Sequence, residues 1–316
     1  MLNIFTLENG RLVNIPPAEV TTKNPVWVDA IAPDAEEREW VDQTFTLLLP
    51  QPEHLRDIEA SARFYEENEV LHVRSDFLLG KESGSRSVIV AFALSNNVLF
   101  SVHDEDLPVF QRFRLRSHGQ PDLVANCLDV LIDLYGSDVE FSADALEEAY
   151  ADLGGISGTV LGNTLSDKQA GVVLASIAHA EHLNGRIRRN LMDTRRAISF
   201  LMRGRLLGAV QMEEARQIMQ DIDSLDGHTA FLFDKVNFLM NTTVGFINVN
   251  QNKIVRLFSV ASVAMLPPTL IASVYGMNFQ HIPELQWANG YLFALMLMVI
   301  SVALPFWLFH RKGWLK

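Results

Sequence analysis

A single cysteine, Cys127, excludes a disulfide framework and a thiolate zinc site. Basic residues are also short: 26 Lys and Arg against 38 Asp and Glu leave a net charge of −12 over 316 residues. Nucleic acid needs a basic face, so it is excluded as a partner. The acidic balance suits cations, although many ordinary cytosolic proteins share it. No GxxxxGK[ST] phosphate loop is present, so no ATP motor is expected. The nine histidines form no HExxH helix, and His179, Glu181 and His182 read as a solvated helix face. No enzyme activity and no organic cofactor are expected. The start, MLNIFTLENG, lacks a basic segment followed by an apolar one, so no signal peptide is expected and the N-terminal body should be cytoplasmic.

The most informative absence is local. Leu257–Pro283 and Leu285–Phe309 contain no Asp, Glu, Lys or Arg. Each window exceeds the ~20 apolar residues a helix needs to cross a bilayer. The spans are placed at Ile254–Val274 and Gly290–Phe309. A buried hairpin of a soluble protein is the alternative, and the flanks speak against it. Lys253 and Arg256 begin the first span, and His310, Arg311, Lys312 and Lys316 follow the second, while the connecting loop has no Lys or Arg. The positive-inside rule then puts both termini in the cytoplasm and the loop outside. Trp287, Tyr291, Trp307 and Trp314 stand where interfacial aromatics belong.

The first hundred residues alternate strand and turn signals. Strands are expected at Leu2–Leu7, Arg11–Ile15, Val26–Ala30, Val70–Leu79, Val88–Leu94 and Val98–Val102, with Asp34 capping a helix to about Leu48. The acid-rich stretch 57–69 reads as a helix end and an exposed turn. From Leu107 the pattern is helical, with breaks expected at Gly154–Gly171 and Arg203–Gly208. The fold class is therefore an α/β cytoplasmic domain, then long helices, then a two-helix transmembrane C-terminus. Its parts are 1–120 (α/β domain), 121–253 (long-helix stalk), 254–274 (first span), 275–289 (outer loop), 290–309 (second span) and 310–316 (basic cytoplasmic tail).

One helix is unusually long. If unbroken from His228 to Tyr275 it measures about 70 Å at ~1.5 Å per residue, against a ~30 Å bilayer core. Its face Ile218, Ile222, Leu225, Leu232, Val236 and Leu239 offers an apolar packing seam. Another face, stepped by three and four from Asp234, carries Phe238, Asn241, Gly245, Asn248, Asn252, Val255, Ser259, Ser262, Leu266, Thr269 and Ser273. Small and polar residues in a membrane helix suit close helix packing or a water-lined path. The three asparagines favour the path. Two spans cannot enclose a pore, so a pore requires several copies around one axis.

Tyr275-Gly276-Met277-Asn278-Phe279 follows the stretch PPTLIAS (267–273), and a short loop, a second span and a basic tail come after it. This arrangement resembles the CorA magnesium transporters. The stretches 56–64 (RDIEASARF), 191–201 (LMDTRRAISFL) and 234–254 (DKVNFLMNTTVGFINVNQNKI) are similar to the proteobacterial members. The resemblance implies a funnel-shaped homopentamer of the bacterial inner membrane that admits Mg²⁺, with Co²⁺ and Ni²⁺ as possible companions. It implies a mouth of Gly276, Met277 and Asn278, and rings that meet the hydrated ion at Asn278, Thr269 and Asn252. Val255, Phe258 and Leu266 fall at constriction positions, with Phe258 and Ser259 competing to face the pore. Asn241 falls where some members carry an acid. The resemblance also implies feedback by cytoplasmic Mg²⁺, for which Asp57, Glu59, Glu213, Asp221 and Asp223 are the candidate ligands. Pro267 and Pro268 leave the Val263 and Ala264 carbonyls without their helix donors, a bend for packing more than an ion ligand. The zinc-transporting branch of the same superfamily is the nearest rival, disfavoured by Met277. A membrane-anchored sensor or scaffold is another, and it leaves the polar stripe without a role.

Overall fold

The computed structural model describes residues 1–50, 63–80, 86–162, 166–204, 206–278 and 287–313. The strands are β1 (Leu2–Glu8), β2 (Arg11–Ile15), β3 (Pro25–Ile31), β4 (Phe64–Glu67), β5 (Val70–Leu78), β6 (Ser87–Ser95) and β7 (Val98–His103). The helices are α1 (Ala35–Phe45), α2 (Pro108–Gly119), α3 (Cys127–Gly162), α4 (Asp167–Arg203), α5 (Ala209–Tyr275) and α6 (Gly290–Arg311).

Three hairpins are closed by two-residue turns that begin with asparagine: Asn9-Gly10, Asn68-Glu69 and Asn96-Asn97, all at positive φ. Positive φ at both central residues matches the right-handed twist of the flanking strands, and Asn and Gly tolerate it best. The sheet order is β2-β1-β3-β7-β6-β5-β4. All neighbours are antiparallel except β3 and β7, which run parallel with Asp29 opposite Ser101 and Ile31 opposite His103.

Alternation along the strands divides the core into two layers. One face carries Ile4, Val28, Ala30, Ala91, Ala93, Phe100 and Val102 against Val41 of α1. The helix α1 is anchored by a reciprocal cap, in which Asp34 accepts from the Glu37 amide while Glu37 accepts from the Asp34 amide. The other face is aromatic. Trp27 stacks on Phe5 at 4.8 Å and meets Phe113 of α2 at 5.5 Å. Phe77 meets Phe110 of α2 at 5.6 Å and Tyr135 of α3 at 5.8 Å. Trp27, Phe77, Phe110 and Tyr135 are all fully buried. Each such side chain contributes on the order of 1.5–3 kcal/mol through the surface it removes from water.

Two sequence expectations shift. β4 lies in the stretch read as an exposed turn; it pairs with β5 from Phe64 opposite Val73 to Glu67 opposite Val70. Its acids hide it, because Glu66 and Glu67 point to solvent on an edge strand. The break at Gly154–Gly171 is far narrower, since α3 runs through Gly154, Gly155 and Gly158 to Gly162, and α4 already contains Gly171. A helix tolerates glycine at ~1 kcal/mol each when packing holds its other face; here Leu153 and Val160 are fully buried. Asp226-Gly227 likewise does not interrupt α5, which starts at Ala209 and runs 67 residues. The second expected break stands, between Arg203 and Ala209. The apolar seam of α5 is buried at Ile218, Ile222, Leu232, Val236 and Leu239.

The chain divides into two compact units: Met1–Gly162 with Val172–Met240, and Asn163–Gly171 with Asn241–Lys316. The first holds the sheet and the helices packed on it. The second holds the C-terminal part of α5 and all of α6.

Candidate ion pathway

The expected spans Ile254–Val274 and Gly290–Phe309 are both helical, within α5 and α6. The membrane-compatible windows of α5 and α6 have mean hydropathies of 1.8 and 2.5, and only 11% and 6% of them is buried. Such apolar surface left open by its own chain marks contact with lipid or with other copies.

Within the second unit each helix has one covered stripe. On α5, Val260 and Ala264 are buried, and Pro267, Pro268, Ile271 and Tyr275 are partly so. On α6, Ala294 is buried, and Gly290, Met298, Ser301, Val302, Pro305 and Phe309 are partly so. The steps of three and four residues are those of single helix faces.

The polar stripe lies elsewhere. Asn241, Asn248, Asn252, Val255, Ser259, Ser262, Leu266, Thr269 and Ser273 are all exposed in the single chain. At about 100° per residue, the transmembrane part of this stripe points roughly 170° away from the covered stripe of α5. The helix therefore turns its polar side away from the one surface its own chain covers. Phe258 and Ser259 are both exposed and flank the stripe from opposite sides, so both remain candidates for the pore face.

The hydroxyls are already oriented. Ser259 Oγ donates to the Val255 carbonyl at 2.8 Å, and Thr269 Oγ1 donates to the Met265 carbonyl at 2.8 Å. Each proton is spent inside the helix, which leaves oxygen lone pairs outward as acceptors. The side chains of Asn241, Asn248 and Asn252 make no hydrogen bond among the described residues. Pro267 and Pro268 sit within α5 as expected.

The helix ends at Tyr275. The Gly276 amide donates to the Ala272 carbonyl at 2.9 Å, and the Met277 amide to Val274 at 3.3 Å. Met277 and Asn278 are exposed. Gly276 is not in the left-handed region, unlike Gly10 and Gly313. The need for glycine is instead one of space: a Cβ at position 276 would stand 3.0 Å from the Ala272 carbonyl oxygen. The loop from 279 to 286 lies outside the described residues, as do Trp314 and Lys316.

Among the described residues, the candidate regulatory acids Glu213, Asp221 and Asp223 form no common metal-binding group. Asp57 and Glu59 lie outside the described residues. Glu213 pairs with Arg216 at 3.1 Å, one turn away, and Asp223 pairs with Arg195. Asp221 lines a cleft of about 700 Å³ with Asp129, Asp133 and Glu140 of α3 and Glu214 of α5. Burial, and then the charges of Asp129 and Asp133, push the Glu214 carboxyl up from its ordinary value. Sequence reading missed this cleft. Its signal was the spacing of Asp129, Asp133 and Glu140 along one helical face. Among the described residues no three acid, histidine or cysteine side chains form a metal-binding group.

An α/β body followed by two helices long and apolar enough to cross a membrane fits a two-span membrane protein. The CorA-like Mg²⁺ transporter family model matches residues 22–311, and the chain belongs to that family, whose members are transporters and not enzymes. It is 42% identical over 319 residues to a magnesium transport protein CorA of Pasteurella multocida, with both chains covered in full. It is 40% identical over 317 residues to the protein of that name in Escherichia coli strain K12, again with full coverage. The fold matches the complete structure of the CorA magnesium transporter from Methanocaldococcus jannaschii with a TM-score of 0.81 at 17% identity, over 99% of this chain and 98% of that one. It also matches the full-length CmaX protein with a TM-score of 0.69 at 14% identity.

Proposed function

We propose that this chain is a channel-like Mg²⁺ transporter that admits the hydrated ion to the cytoplasm through a pore lined by α5 of several identical subunits. The observation that carries the reading is the polar stripe on the side of α5 opposite its covered face. One chain cannot close a ring around that stripe, so the unit is a homo-oligomer, with five copies suggested by the family.

The charge pattern supports the orientation. Lys253 lies 22 residues before Tyr275, and Lys312 lies 22 residues after Gly290. At ~1.5 Å per residue both bases stand about 33 Å from the outer helix ends, close to the ~30 Å hydrocarbon thickness. Both termini then face the cytoplasm of a bacterial inner membrane, and Gly276-Met277-Asn278 forms the outer mouth.

Mg²⁺ dehydrates reluctantly and keeps several waters when bound. Those waters point protons outward, so the pore must present acceptors. Asn278 supplies amide oxygens at the mouth, and Thr269 and Ser259 supply hydroxyl oxygens whose own protons are tied to the helix. Asn252 repeats the amide near the cytoplasmic end. Rings of neutral oxygens hold a hydrated dication and still release it, where charged rings would retain it. Met277, exposed in the single chain, offers no oxygen to a hard cation. Val255, Leu266 and, where it rather than Ser259 faces the pore, Phe258 set the constriction, which closes by dewetting. An inside-negative potential of 100 mV favours entry of a dication by about 4.6 kcal/mol, at ~2.3 per charge. Hydrated Co²⁺ and Ni²⁺ are close enough in size to follow. Cytoplasmic Mg²⁺ gathered by acids of the soluble unit, with Asp57, Glu59, Glu213, Asp221 and Asp223 as candidates, provides the feedback that favours the closed ring.

The test is Mg²⁺ entry into liposomes that contain the purified protein and a trapped Mg²⁺-sensitive dye. A membrane potential negative inside should accelerate entry. Protein-containing liposomes no more permeable to Mg²⁺ than empty ones would overturn the reading.

A further inference from the structure

We propose that His103 is a doubly protonated imidazolium at neutral pH and clamps the parallel seam of the sheet to α2, a clamp that opens when the pH rises. The inference concerns the first unit alone and does not rest on the transport reading.

The seam is where β3 and β7 run side by side, and strand alternation places Asp29, Ser101 and His103 on the face under α2. Asp29 and Ser101 are fully buried and His103 is 1% exposed. The protonation follows from donors and acceptors. His103 Nδ1 lies 2.6 Å from the Glu105 carbonyl oxygen. A carbonyl only accepts, so Nδ1 must carry a proton. His103 Nε2 lies 2.8 Å from Asp29 Oδ1. That oxygen also accepts from the Ser101 hydroxyl at 2.6 Å, which is aimed there because Ser101 Oγ itself accepts from Trp27 Nε1 at 2.9 Å. Asp29 Oδ2 accepts from Arg114 Nη1 at 2.8 Å. Both Asp29 oxygens thus act as acceptors, so the hydrogen in the Nε2 contact is the imidazole's, and Nε2 carries the second proton.

The charges agree. The other charged groups facing His103 are Asp106, bonded to Arg114 at 2.6 Å, and Glu105, whose carboxylate is drawn away to Arg86. With His103 cationic, the hydrogen-bonded set of His103, Asp29, Arg114 and the 35% exposed Asp106 sums to zero. Burial alone pushes the imidazole pKa down, but the bond to Asp29 and its charge, the Glu105 carbonyl and the Asp106 charge outweigh it, and the net shift is up.

The clamp also holds a strained corner. Ala32, just after β3, has φ 41° and donates its amide to the His103 carbonyl at 2.8 Å. The ring of Phe110 in α2 packs on the imidazole at 4.7 Å. Loss of one ring proton breaks a hydrogen bond to Asp29 or Glu105 and loosens strand, corner and helix together. Because the folded pKa is raised, the stabilisation is complete below the ordinary histidine range and is lost as pH rises through the raised value.

Deuterium exchange at the imidazole carbon of each histidine, followed by mass spectrometry of the intact purified protein across pH, measures the titration directly. His103 should titrate above the ordinary histidine value; titration at or below that value overturns the proposal. Thermal midpoints between pH 7 and pH 9 provide a second reading. The wild type should lose more than His103→Gln over that range, and equal losses also overturn it. If His103→Gln does not fold, exchange on the wild type decides alone.

Discussion

The two units treat polar atoms in opposite ways. In the first, one run of buried polar side chains is answered by partners of the same chain: Trp27, Ser101, Asp29, His103 and Arg114 form one bonded series under α2. In the second, the polar stripe of α5 is exposed, and its asparagines have no partner among the described residues. A buried polar group without a partner costs about 1–3 kcal/mol; the first unit answers this run within itself, while single buried atoms such as Asp138 Oδ1 and Asn184 Oδ1 have no partner among the described residues. The stripe in the second bears that cost only if nothing polar meets it outside the chain. The contrast is that the sheet domain answers a run of buried polar groups within the chain, while α5 leaves its polar face exposed in the single chain.

The comparison breaks most sharply at the mouth. Asn278→Ala should lower Mg²⁺ flux at least ~10-fold, equivalent to about 1.4 kcal/mol or more, with assembly by size-exclusion chromatography unchanged. Gly276→Ala should reduce flux less, because its Cβ must be fitted 3.0 Å from the Ala272 oxygen. Wild-type flux from both variants would show that this turn is not the mouth.

On the other side of the comparison, Trp27→Ala removes the centre of the aromatic layer and should destabilise the first unit by about 3–5 kcal/mol. Chemical denaturation of the purified protein reads this directly. A loss below ~1 kcal/mol would mean that the layer does not organise the domain.

Asp138 sharpens the point about buried charge. It is fully buried in α3, where Oδ2 accepts from Asn190 at 2.9 Å and Thr194 at 3.3 Å, and Oδ1 has no hydrogen-bond partner. Burial pushes its pKa up to about 7, against the lowering effect of the hydrogen bonds from Asn190 and Thr194. A raised acid pKa gives stability that is full below its unfolded value near 3.8 and is lost as pH rises to about 7. Asp138→Asn should therefore raise the thermal midpoint at pH 8 and change it little near pH 4. An equal effect at both values would remove the ionisation argument.

The smallest effects concern accessibility. In a background with Cys127 replaced, single cysteines at Ser262 and Thr269 should react with small water-soluble thiol reagents several-fold faster than cysteines at Val260 and Ala264. The last two positions are 3% and 2% exposed. Equal rates would make the stripe a packing seam.

Much of this was legible in residue order alone. Uncharged windows longer than a bilayer is thick, steps of three and four along α5, and the asparagine turns Asn9-Gly10 and Asn96-Asn97 are local signals. A helix or hairpin realises them without help from distant residues, and Pro267-Pro268 and the Tyr-Gly-Met-Asn turn are equally local. Only the tertiary structure decided the rest. It made β4 from acid-rich sequence, set β3 beside β7, and gathered Asp129, Asp133 and Glu214 around one cleft. It also sealed His103 against Asp29 and Asp138 against Asn190. Those pairs are separated by 74 and 52 residues. A side chain's protonation and its partner depend on what surrounds it in space, and that is set by packing between elements that no local period encodes.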